Sequence, residues 1–151
     1  MVLSTFGAIM GFAAEIVRQA EDVYGVMVAK ANDPALREAL QLFQKEKGKN
    51  HSLMEKTRRE NVTEMILEPV AGLHREDYEI DLWVLDRTDD VGLLRVAMLL
   101  EEREKKFFRD ASSKVPLPEV ARIFRKIVQR KQENLLKLQG LGLNQTLRKS
   151  T

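Results

Sequence analysis

Apolar residues recur every three or four positions in four stretches of this chain, and the stretches form two close pairs separated by roughly thirty residues, 62–90. A spacing near 3.6 marks an amphipathic helix, whose buried stripe needs neighbours to cover it. The first stripe runs through Phe6, Ile9, Ala13, Ile16, Val17, Ala20, Val23, Tyr24 and Met27, and stops near Ala31 and Asn32. Asp33 and Pro34 follow, a side-chain acceptor suited to a helix cap and a proline suited to the first turn. The second stripe then reads Leu36, Ala39, Leu40, Phe43, Lys47, Asn50 and Leu53 or Met54, fading around residues 59–61. After the long gap, Asp89 and Asp90 offer a cap to a third stripe of Leu94, Ala97, Met98, Glu101, Lys105, Phe108 and Ala111. Pro118 opens the fourth, through Val120, Ile123, Phe124, Ile127, Lys131, Asn134 and Leu138, with Gly140 as the expected left-handed stop.

Two short loops and one long one predict an all-α antiparallel four-helix bundle with a single long crossover, since a plain up-down-up-down bundle needs a short loop at its middle. A connection of that length is expected to lie across the bundle or to hold a short helix. Residues 1–140 read as one bundle domain, with the crossover at about 62–90 and a flexible tail at 141–151. Residues 1–14 are uncharged and rather apolar, but they lack a basic leading segment and read as helix.

Charge and composition remove several functions. Lys and Arg total 25 against 23 Asp and Glu, and a net charge of +2 gives no electrostatic reason for nucleic acid or an anionic membrane as partner. No apolar run approaches the ~18 residues of a spanning helix. Cysteine is absent, which rules out disulfides, thiolate metal sites and a cysteine nucleophile, and suits the cytoplasm. No glycine-rich phosphate loop, Ser-His-Asp set or nucleotide fingerprint is present.

An offset of 84 positions superposes Tyr24 on Phe108, Lys30 on Lys114, Pro34 on Pro118 and Leu40 on Phe124. The same offset places Lys47 on Lys131, Asn50 on Asn134 and Val17 on Glu101, so the second helix of each pair carries Lys-x-x-Asn within its apolar stripe. Charges at such positions demand partners or a route to water. Either the two lysines extend their ammonium groups to solvent along apolar stems, or one or both pair with Glu101 in a buried layer where Asn50 and Asn134 share hydrogen bonds.

The third and fourth helices, from Leu94-Arg95-Val96-Ala97 through Glu101-Glu102-Arg103-Glu104-Lys105-Lys106-Phe107-Phe108 to Glu119-Val120-Ala121-Arg122-Ile123-Phe124, resemble the rubrerythrin branch of ferritin-like proteins. The first pair resembles it more weakly. The resemblance implies a ferritin-like four-helix bundle that holds two iron atoms through one Glu seven positions before an aromatic and one Glu-x-x-His, each occurring twice. Carried over by position, Glu101 lies seven before Phe108 and is the one retained ligand. Val17 stands where the other lone glutamate belongs, and Lys47-x-x-Asn50 and Lys131-x-x-Asn134 replace the two Glu-x-x-His motifs. Registering the second helix on Phe43 gives Asn50 and Leu53 instead, and the whole chain contains no Glu-x-x-His.

Ammonium groups in place of carboxylates invert the charge that iron requires, so no metal or cofactor is expected. The preferred expectation is a non-catalytic bundle with a structural, regulatory or interaction role, paired as a homodimer. The alternative is an atypical iron- or manganese-dependent protein handling peroxide or oxygen, with Glu15, Glu21, Glu102 or Glu104 joining Glu101. A further alternative is a lipid or small apolar ligand in the bundle core. Otherwise Glu15, Glu21, Glu102 and Glu104 read as surface charge, as do His51 and its neighbours Glu46 and Glu55. The methionines read as core filler, and Tyr78, Leu82 and Trp83 in the crossover read as packing over the bundle or as a dimer interface.

Overall fold

A computed structural model of the chain describes residues 2–61, 70, 72–80 and 89–149, with side chains as far as residue 142. Four helices dominate it: α1 (Phe6–Lys30), α2 (Pro34–Glu60), α3 (Asp90–Ser112) and α4 (Pro118–Lys149). Their starts follow local chemistry. Thr5 Oγ1 accepts from Ala8 N at 3.0 Å, Asp33 Oδ2 from Leu36 N at 3.0 Å and Asp89 Oδ1 from Gly92 N at 2.9 Å, each satisfying an amide that has no partner within its own helix. Pro34 occupies the first turn of α2, where its missing N–H costs nothing.

Asp90 has a different role from the cap it resembled. Its two carboxylate oxygens accept from Asn32 N and Asp33 N, both at 2.9 Å, and so pin the α1–α2 turn to the start of α3.

Helix directions follow from which residues meet. One apolar cluster joins residues 6–17 of α1, Met54 late in α2, Phe107 and Phe108 late in α3 and Val120 to Ile127 early in α4. The other joins Ala20 to Met27 of α1, Leu36 to Phe43 of α2, Leu93 to Leu100 of α3 and Leu138 of α4. The helices therefore run up, down, down and up. Because α2 and α3 point the same way, the chain must return the length of the bundle between them. At ~1.5 Å per residue α2 spans roughly 40 Å, which an extended chain covers in about a dozen residues.

The described part of that return holds a short 3-10 helix, Arg75–Tyr78, laid against α1 and α3. Arg75 reaches Glu15 at 2.7 Å, and Leu3 N donates to Leu73 O at 2.8 Å. Tyr78 is not the exposed interface anchor the sequence allowed. It is only 4% exposed, stacks edge-on to Phe107 at 5.2 Å and donates to Asp110 Oδ2 at 2.7 Å. Leu82 and Trp83 lie outside the described residues.

The stop expected at Gly140 is also not used. Helix α4 continues through Gly140 to Lys149, and Gly142 serves a different need. A Cβ on Gly142 would lie 3.0 Å from Leu94 Cδ2, so glycine lets α4 run close to α3, whereas Gly72 alone among the described glycines adopts a positive φ, at 90°. No described helix is long and apolar enough to cross a membrane.

Candidate functional site

Between the two apolar clusters every helix contributes to a polar layer. From α2 comes Lys47, from α3 Glu101 and Glu104, from α4 Lys131 and Asn134, and from α1 the Tyr24 hydroxyl. Lys47, Glu101, Glu104 and Lys131 are all 0% exposed, so neither lysine extends to water. The arrangement centres on Glu101. Its Oε2 accepts from Tyr24 at 2.9 Å and lies 2.6 Å from Lys47 Nζ, while its Oε1 accepts from Asn134 Nδ2 at 2.7 Å.

Glu104 runs parallel to it. Lys47 Nζ is 3.0 Å from Glu104 Oε2, and Lys131 Nζ is 3.9 Å from both Glu104 Oε1 and Glu101 Oε1. Each of these two carboxylates thus turns one oxygen to each ammonium group, as carboxylates do when they bridge a pair of cations. Lys131 makes its shortest contact with Glu46 Oε1, at 2.7 Å, and Asn134 Nδ2 also donates to that oxygen at 3.0 Å. Glu46 is the member that meets solvent, with its other oxygen 3.3 Å from the exposed Arg130. Neither Lys47 Nζ nor the Glu104 oxygens complete a well-directed hydrogen bond, so those contacts are ionic in character.

Three carboxylates therefore face two ammonium groups, and Arg103 supplies a third positive charge from the flank. It is 6% exposed, donates to Gln19 Oε1 at 2.7 Å and to Ile16 O at 3.3 Å, and leaves Nε without a partner. Burial lowers the affinity of its guanidinium for the proton, and the Glu104 and Glu15 carboxylates oppose that effect.

The positions singled out in the sequence have different fates. Lys47, Glu101, Lys131 and Asn134 meet in the layer, whereas Val17 is buried in the apolar cluster beside it. Asn50 is only half-buried, with no hydrogen bond to another layer residue, one turn beyond Lys47 and toward the edge of α2. Two residues assigned to the surface belong inside. Glu104 is buried because it lies three residues after Glu101 and four before Phe108, on the inward stripe of α3, where it meets Lys47 and Lys131. Glu46 is drawn in by Lys131 and Asn134. Of the other carboxylates, Glu15 and Glu102 are exposed and Glu21 is half-buried against the open backbone of Gly48. The signal for Glu46 was available: Lys131 follows it by 85 positions, one more than the repeat offset, and a second buried lysine needs a second anion.

The layer sets a pH window for the fold. Burial alone would raise the Glu101 pKa, but Lys47, Lys131 and Asn134 overcome it and hold the carboxyl below its usual range. That stabilisation is present above the unfolded-chain value of roughly 4.3 and is lost as pH falls through the folded value. Burial works against the Lys131 charge, yet the Glu104, Glu101 and Glu46 carboxylates raise its pKa above the usual range. Tyr24 is raised as well, by burial first and then by Glu101 and Glu104. Both contributions are complete below their unfolded values of roughly 10 and are lost as pH rises through the folded ones. Melting temperature measured against pH is expected to form a plateau across neutrality with a decline on each side; a melting temperature still rising above about pH 11 would contradict this assignment.

Among the described residues, no three His, Asp or Glu side chains are placed to hold a metal ion together. Compared with known proteins, the chain matches no family model, no curated protein and no solved structure.

Proposed function

We propose that the chain is a ferritin-like bundle in which a salt-bridged layer stands where relatives of that type hold two metals, and that it acts without metal as a structural, regulatory or interaction protein. The observation that carries this reading is the placement of two fully buried ammonium groups, Lys47 and Lys131, among Glu46, Glu101 and Glu104. The up-down-down-up helix order with one long return supports the ferritin-like assignment. A di-iron centre does not fit these residues. Its cations need open carboxylate lone pairs and neutral imidazoles, whereas here both Glu101 oxygens already accept hydrogen bonds and no imidazole reaches the layer.

The competing metalloprotein reading asks further carboxylates to turn inward, and of Glu15, Glu21, Glu102 and Glu104 only Glu104 does so. Its charge is met by the two lysines. The absence of cysteine suits a cytoplasmic setting.

Elemental analysis separates the two readings. After incubation with ferrous or manganous salt and removal of excess ions, the purified chain is expected to retain only traces of either metal. One tightly held ion per chain would overturn the proposal.

A further inference from the structure

We propose that the cleft between α2 and α4 binds a small organic anion, a carboxylate or phosphate group carried on an apolar body. The cleft lies on the side of the bundle opposite the 3-10 segment and measures about 420 Å³. That falls toward the lower end of the roughly 300–1,000 Å³ typical of small-molecule sites. Both helices present the same ladder to it, residues 42, 45, 46 and 49 from α2 and 130, 133, 134 and 137 from α4, which is one face of each helix.

Charge at the rim is unbalanced. Arg130 is engaged by Glu46 at 3.3 Å and Glu133 at 3.2 Å. Lys45, Lys49 and Lys137 are exposed and make no ion pair with any described residue. Like charges one turn apart, as at Lys45 and Lys49, disfavour the helix slightly on their own account. An anion held among the three lysines would relieve that repulsion and gain charge-assisted hydrogen bonds.

The apolar part of the wall comes from Leu42, which stays 49% exposed over the buried Phe43 and leaves hydrocarbon surface on the same cleft as the lysines. The floor is rigid and polar: Asn134 and Glu46 are fixed by Lys131 and by the Asn134 bond to Glu101. Three cations beside an open apolar wall match an amphipathic anion better than a bare inorganic one. None of the three lysines belongs to the charged layer; the cleft shares with it only its floor, Glu46 and Asn134.

Calorimetric titration of the intact chain with octanoate, octyl phosphate and inorganic phosphate tests it. Octanoate or octyl phosphate is expected to bind saturably, one per chain, and the tighter of the two identifies the head group. Inorganic phosphate is expected to bind at least roughly tenfold more weakly because it forgoes the apolar wall. The double variant Lys49→Glu/Lys137→Glu is expected to weaken the octyl ligands by about tenfold or more. Circular dichroism of that variant is expected to show an unaltered unliganded fold. Leu42→Asn, which leaves the charges in place, is expected to weaken the octyl ligands and not phosphate. The proposal is overturned if neither octyl ligand binds saturably, if phosphate alone binds as tightly, or if both variants keep full affinity.

Discussion

Alanine at position 47 is expected to lower the stability of the fold by about 3–5 kcal/mol, because it strands Glu101 and Glu104 in the core without their nearest cation. Lys47 Nζ lies 2.6 Å from one and 3.0 Å from the other, and none of the three side chains reaches water. The whole stability of a domain is roughly 5–15 kcal/mol, so one truncation removes a large share of it. Lys56→Ala provides the contrast. That lysine pairs with Glu60 at 3.8 Å with both side chains largely exposed, and its loss is expected to stay within about 0.5 kcal/mol. Urea unfolding followed by circular dichroism measures both; near-equal effects would mean that water screens the inner pair as fully as the outer one.

Removing both buried lysines has a still larger expected effect, and one that cations can reverse. Lys47→Ala/Lys131→Ala leaves Glu46, Glu101 and Glu104 facing one another around the space the two side chains filled. Without a cation the variant is expected to lose cooperative thermal unfolding at neutral pH. Glu101 and Glu104 each offer separate oxygens toward the two former ammonium positions. Oxygen donors of this kind suit manganese, magnesium or calcium better than thiophilic metals. Manganous ion is therefore expected to restore a sharp melting transition to the double variant while leaving the natural chain unchanged. If it restores nothing, the ammonium groups do not stand where small cations could be held.

The helices were readable because their signals are local. Asp33, Asp89, Pro34 and Pro118 act on the first turn beside them, and apolar spacing repeats within each helix. Lys47 and Lys131 were conspicuous for the same reason, as charges interrupting apolar stripes. Glu104 could have been found by spacing, since it lies three residues after Glu101 and four before Phe108 on the stripe to which Lys105 was assigned. What spacing does not select is the burial of Arg103, on the flank of α3 where Tyr78 of the crossover packs against Phe107. Gly140 misled because a glycine suits a helix end equally well in sequence, whereas here glycine two residues later allows contact with Leu94. Asn50 differs from its repeat partner Asn134 because a repeat offset carries residue type but not burial, and Asn50 is only half-buried.

A core of leucines and phenylalanines tolerates slippage, since hydrocarbon accepts hydrocarbon at many offsets. The band of charge across the middle of this bundle does not. Sliding α4 along its axis by one turn, roughly 5.4 Å, would bring Ile127 or Leu135 to the level of Glu101 and carry Lys131 away from all three of its carboxylates. A buried ammonium so abandoned costs several kcal/mol, whereas the apolar contacts could largely re-form. The ion layer is therefore an alignment key that selects one axial match of the four helices over its neighbours a turn away, even where it adds little to the total stability of the fold.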